Sequence, residues 1–263
     1  MSAGPGTLGR RIDRAIASAT AGRSRLGPDA LAIEGLSSPA VRHLLNNLCA
    51  PADVNYLEVG TYKGSTLVAA SFGNPGRFTA VDDFSEFGPM GVRDDFAAVR
   101  ERFAAACRFT FHEADCWTAA LRRRLPRGIN VYFYDGGHRY EDQYRAFTHF
   151  DPVFADTFIA VVDDWNSATV RNATRAAFAD LGYRTLHERE LFTKRWIRAL
   201  WWNGLLLAVV RKPAAPAVRR PRAATAARPR PAAGHGRDRS TRTGGPSRPR
   251  APRARRAARG RPR

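Results

Sequence analysis

Residues 57–66 read Leu-Glu-Val-Gly-Thr-Tyr-Lys-Gly-Ser-Thr. An apolar stretch ends on Glu58, turns through Gly60 and Gly64, and enters residues 65–72, whose apolar spacing predicts a helix. A strand, a glycine turn and a helix in immediate succession mark where an open parallel sheet accepts a ligand. Backbone N–H groups and the helix N-terminus face the crevice at the strand's carboxyl end, and glycine lets the backbone come close to what binds there. A dinucleotide pyrophosphate calls for Gly-x-Gly-x-x-Gly. Here the slot of Glu58 carries a charge that repels phosphate and suits a cationic amino group. Such turns also occur for purely structural reasons, so the weight falls on what the chain places beside this one.

Outward from the turn, residues 54–212 alternate short apolar runs with amphipathic stretches, the pattern of parallel strands joined by crossover helices. Strands are predicted over 54–59, 77–81, 109–112, 130–134, 157–162, 185–191 and 205–210, and helices over 65–72, 94–107, 117–125, 141–150 and 167–181. No long helix separates the last two strands, which suits an antiparallel pair. Upstream, 11–20 and 38–48 read as helices, the second capped by Ser37 or Ser38. The chain thus divides into an N-terminal extension with a short helix (1–37), an α/β domain (38–212) and a tail (213–263).

The second strand ends in Ala-Val-Asp-Asp-Phe (80–84), about twenty residues after the turn, where Asp82 can accept both hydroxyls of a ribose or merely cap the next turn. After the third strand, His-Glu-Ala-Asp-Cys-Trp (112–117) places Asp115 where the same crevice would hold an adenine, with Trp117 stacking on a base or simply packing. The fourth and fifth strands end in 134–144 (Tyr-Asp-Gly-Gly-His-Arg-Tyr-Glu-Asp-Gln-Tyr) and 161–166 (Val-Val-Asp-Asp-Trp-Asn). Asp135, His138, Asp163, Asp164 and Asn166 should therefore converge on one rim. Such an oxygen-rich group can hold Mg²⁺, although some of its members suit helix caps and turns equally well. His138 can take a proton from a substrate hydroxyl, with Asp135 beside it, or serve only to bond its own loop.

Together these four segments resemble the class I S-adenosylmethionine-dependent methyltransferases, and within them the bacterial small-molecule O-methyltransferases of the macrocin type. The resemblance implies a Rossmann-like seven-stranded sheet of order 3-2-1-4-5-7-6, strand 7 antiparallel, with helices on both faces. It further implies that Glu58, Gly60, Tyr62 and Gly64 meet the methionine part of the cofactor, Asp82 the ribose and Asp115 the adenine edge. Asp135, Asp163 and Asp164 stand where metal-dependent relatives hold a divalent cation. The turn reads Glu-x-Gly-x-Tyr-x-Gly, so Tyr62 stands in the place of the family's middle glycine. The acceptor pocket is expected from the N-terminal helices and from Phe84, Phe87 and Met90.

Eighteen of the 43 basic residues but only one acid, Asp238, fall within 211–263, a net of +17 that leaves 25 bases and 23 acids in the first 210 residues. Rich in Arg, Pro, Ala and Gly, the tail lacks the apolar surface to offset the entropy of ordering and is expected to be disordered. It would bind nucleic acid or another anionic surface by counterion release. The same composition arises when a GC-rich coding sequence is read past its stop. Cys49, Cys107 and Cys116 form no metal or disulfide framework, and no stretch has the length of a signal peptide or membrane span, which points to a soluble cytoplasmic protein, with homodimerisation open. Three functions are compatible with these features: a small-molecule O-methyltransferase, a methyltransferase drawn to nucleic acid by its tail, and a nucleotide-binding oxidoreductase.

Overall fold

A computed structural model describes residues 4–86, 91–194 and 198–214. Phe87, Met90 and the tail beyond residue 214 lie outside them, and with them the expectation of disorder. Seven strands form one sheet: β1 (Asn55–Val59), β2 (Arg77–Asp82), β3 (Thr110–Glu113), β4 (Ile129–Tyr134), β5 (Phe154–Val162), β6 (Arg184–Leu191) and β7 (Leu205–Arg211). Their order is β3-β2-β1-β4-β5-β7-β6, with β7 antiparallel to both neighbours, as the resemblance implies.

Both faces of the sheet are covered, so the central strands are apolar on both sides. In β7, Leu205, Leu207 and Val209 point to one core, and Leu206, Ala208 and Val210 to the other, all six fully buried. The first core lies under α1 (Pro5–Thr20), α3 (Pro39–Leu48) and α4 (Ser65–Ser71), and the second under α6 (Ala119–Arg124), α7 (Tyr140–Thr148) and α8 (Ala168–Asp180). A smaller cluster joins α2 (Pro28–Leu31) to α4 and the end of α5 (Val92–Arg102). A single turn, α9 (Arg198–Trp201), precedes β7.

The helix expected over 11–20 begins six residues earlier. Pro5 occupies its first turn, where a missing N–H costs nothing. Leu8, Ile12, Ala15 and Ala19 then form one buried stripe, packed against α3 and β6. Ser38 is the cap of α3: its hydroxyl accepts from Val41 N–H at 3.2 Å and donates to the Leu200 carbonyl at 2.5 Å, which ties α3 to α9.

Hydrogen bonds carry the sheet past the assigned strand ends. Gly60 N–H donates to Val81 O, Asp135 N–H to Val59 O and Asp163 N–H to Tyr134 O, at 2.9–3.1 Å. The carboxyl ends of β1, β2, β4 and β5 therefore finish at one level, and the residues that follow them share one edge.

If α1 belongs to the core, Ile12→Ala should lower the unfolding free energy by about 2–5 kcal/mol in denaturant titration. A loss below about 1 kcal/mol would show that the helix is not docked in solution.

Candidate active site

The shared edge encloses a cavity of about 590 Å³, walled by the turn after β1 and by the segments that follow β2, β3, β4 and β5. Its first wall rests on a steric constraint. Gly60 has φ +88°, and a Cβ there would lie 1.9 Å from the Asp135 carbonyl oxygen, so only glycine lets β1 and β4 close to this distance. Tyr62, in the place of the family's middle glycine, has φ +49°. A non-glycine residue in the left-handed region costs free energy that its surroundings must over-determine. Asp82 does so: its Oδ2 accepts from the N–H groups of Thr61 and Tyr62 at 2.6 and 2.8 Å, and its Oδ1 accepts from Phe84 N–H at 2.8 Å. Asp82 thus caps a turn and lines the cavity at once.

Glu58 departs from the expectation of direct contact. It is fully buried and absent from the cavity wall. Its carboxyl accepts from Tyr56 Oη at 2.6 Å and Thr66 Oγ1 at 2.9 Å. Burial, more than the nearby Asp82, pushes it up to about 8 against the effect of those two hydrogen bonds. At neutral pH it therefore holds a proton, and the charge that the sequence offers to a cationic amino group is absent. Thr66, which does line the cavity, is the residue Glu58 reaches.

At the opposite wall, Asp135, His138 and Asp163 each present a ligand atom within 4.8 Å of the others. His138 Nε2 lies 3.7 Å from Asp135 Oδ1 and 3.5 Å from Asp164 Oδ2. Burial, and then the charge of neighbouring acids, raises the Asp135 and Asp163 carboxyls well above the ordinary range. Asp164, with φ +54°, adjoins this trio through His138. Asn166 does not join the rim. Its amide donates to Thr193 O and accepts from Thr193 N–H, and its backbone N–H donates to Asn203 O, so it fastens the loop after β6.

Asp115 lines the cavity while its Oδ1 accepts from Trp117 N–H at 2.8 Å, a local turn. Trp117 packs under Arg145, whose guanidinium lies 4.4 Å from the ring centroid. Phe84 turns away from this cavity to pack on Phe96 and Phe111, so it is not part of the expected acceptor pocket. In its place stand Leu36 and Trp202, which the motifs did not mark. Leu36 is 46% exposed. Its segment is held over the glycine turn by Lys63, which pairs with Glu34 at 2.8 Å, and by Ser37, whose hydroxyl lies 3.3 Å from that of Ser65.

Because native Glu58 keeps a proton that the unfolded chain loses above its ordinary value of 4.5, the wild-type chain should lose stability as pH rises from about 4.5 to about 8. Glu58→Gln should flatten that slope. Parallel melting-temperature profiles for the two proteins across this window would contradict the buried, protonated state.

Residues 57–165 match the family model described as a methyltransferase domain. A comparison with curated proteins returns no match. Among solved structures, an O-methyltransferase from Bacillus cereus in complex with SAH superposes with a TM-score of 0.50 at 12% identity, over 77% of this chain and 91% of that one. TrmN from Thermus thermophilus gives 0.47 at 15% identity over 70% and 52%, so the chain spans about half of its length. The SAH-bound Podospora anserina methyltransferase PaMTH1 gives 0.45 at 13% identity over 77% and 88%. The likeness to the Bacillus cereus enzyme reaches the fold alone. The matched domain spans the glycine turn and the acidic ends of β2, β4 and β5.

Proposed function

We propose that the chain methylates a hydroxyl oxygen of a small molecule, with S-adenosylmethionine as donor, in the manner of the macrocin-type O-methyltransferases. The observation that carries this reading is the meeting of Asp135, His138 and Asp163 across one cavity from the turn that Asp82 holds. A volume of about 590 Å³ suits a small-molecule site. Thr61, 2% exposed and on the cavity wall, has a hydroxyl oxygen with no hydrogen-bond partner among the described residues, a donor left for a ligand.

The cofactor supplies, when bound, a methyl group on a sulfonium, so that transfer asks the protein mainly for alignment and a place for one proton. The backbone of Gly60 and Tyr62 and the hydroxyls of Thr61 and Thr66 would receive the methionine part; Gly64, expected there from the sequence, does not line the cavity and instead turns the chain into α4 with φ +88°. Asp82 Oδ1, which accepts a single N–H, retains one lone pair for a ribose hydroxyl, and Asp115 would meet the adenine edge. Glu58 positions Thr66 from beneath. His138 Nε2 takes the acceptor's proton while Asp164, 3.5 Å away, stabilises the imidazolium that results and Asp135, at 3.7 Å, helps hold the ring in place. The acceptor oxygen's lone pair forms the new bond to carbon as the carbon–sulfur pair returns to sulfur, so charge and atoms balance. Asp135 and Asp163 present two hard oxygens within 4.8 Å of each other that would suit Mg²⁺, which would lower the acceptor hydroxyl's affinity for its proton. Its charge would also relieve the crowding of the two raised carboxyls.

Eight side chains on the cavity wall are carboxylates, and among the described residues no lysine or arginine lines it. A phosphodiester or a dinucleotide pyrophosphate would meet repulsion there. This disfavours both a nucleic-acid acceptor and the oxidoreductase alternative, leaving a neutral or cationic acceptor.

Titration calorimetry should show saturable binding of S-adenosylhomocysteine by the wild-type chain, and its absence would refute the reading. His138→Ala should lower kcat by about 10²- to 10⁴-fold with that binding intact, as measured with labelled cofactor against a panel of hydroxylated acceptors. Chelation should abolish turnover if the cation is used, and full activity in excess chelator would remove it from the mechanism.

A further inference from the structure

A second concavity lies at the other end of the sheet. Helix α6 is only six residues long, and beside its C-terminus a groove opens over residues of β2 and the edge strand β3. The groove, of about 520 Å³, is lined by Arg77, Arg108, Arg124, Thr79, Thr110 and His112, with Phe109 at its side, and among the described residues no carboxylate lines it. Arg77 opens β2, and Arg108 lies two residues before β3, so the groove follows the amino ends of these strands while the methyl-transfer cavity follows the carboxyl ends.

The three guanidinium groups make no hydrogen bond and no ion pair with a described residue, although Arg93, Arg102, Arg175 and Arg189 elsewhere each find a carboxylate. Unpaired arginines gathered without a counter-charge set up a positive field. Its trace is visible on His112, which burial and then the charge of Arg124 hold below its ordinary value. Arginine is the side chain best matched to phosphate, and the half-buried ring of Phe109 offers a surface for an unpaired base. The same chain carries the net charge of +17 in 211–263, a second, independent polyanion-seeking feature.

We propose that the groove between α6 and the amino ends of β2 and β3 binds the phosphodiester backbone of single-stranded nucleic acid through Arg77, Arg108 and Arg124. The nucleic acid is then an anchor and not the methyl acceptor, because the acidic cavity lies at the opposite sheet edge. The proposal does not depend on the identity of the acceptor.

Thermal melting of the full-length chain tests it, since a ligand raises the midpoint only by binding the folded state. A 20-nucleotide oligothymidylate should raise the midpoint of the wild type. The shift should vanish for the triple variant Arg77→Glu, Arg108→Glu, Arg124→Glu, and in the wild type it should shrink steeply as salt is added. The triple glutamine variant serves if the glutamates unfold the chain. A midpoint shift with S-adenosylhomocysteine, followed in every variant, reports the methyl-transfer site separately. A shift that survives both triple variants would assign binding to residues 213–263 and overturn the proposal. So would no shift in the wild type, which would leave the arginines only to keep the edge strand from pairing, or an equal shift with polyglutamate.

Discussion

One carboxylate holds the cavity in shape. Asp82 accepts three backbone N–H groups, two from the turn after β1 and one from the turn after β2. Its bonds to the N–H groups of Thr61 and Tyr62 give both an acceptor and help offset the backbone cost of the left-handed Tyr62. The same side chain faces the cavity, so the group that fixes the turn is also one that a ligand would touch.

Strain gathers around that cavity. Of the four non-glycine residues with positive φ among those described, Tyr62, Asp164 and Trp202 line it, and the fourth, Phe84, follows Asp82 by two positions. Backbone conformations of this kind persist where surrounding structure over-determines them and are typical of binding sites. Here the determinants are identifiable: Asp82 for the first turn, and the Asn166 clasp on Thr193 and Asn203 for the loops that carry Asp164 and Trp202.

The charge of the molecule is divided between the two ends of the sheet. Carboxylates crowd the carboxyl edge, where burial and mutual repulsion raise Asp135 and Asp163 and make the site receptive to cations. Arginines without partners collect at the amino edge of β2 and β3. A sheet that ends all its parallel strands on one side separates these two environments by the length of a strand, so one can be anionic and the other cationic without neutralisation.

Period and punctuation in the sequence determined the architecture. Alternating apolar runs give the strands, the absence of a long helix after residue 191 gives the antiparallel β7, and acids directly after apolar runs mark Asp82, Asp115, Asp135, Asp163 and Asp164 as edge residues, all of which line the cavity. What sequence could not decide is which way a carboxyl faces. Glu58 has the same local pattern as Asp82, yet the closeness of α4 buries it against Tyr56 and Thr66 and neutralises it. Asn166 lies two residues past Asp164, the last of its loop on the cavity wall, and is turned to Thr193 and Asn203 instead. Leu36 and Trp202 come to the cavity from segments without a motif, brought there by Lys63, Ser37 and the loop after β6. Local spacing sets strand ends, because hydrogen-bond ladders are periodic. Side-chain environment depends on contacts between residues far apart in the chain, and only the packed structure fixes those.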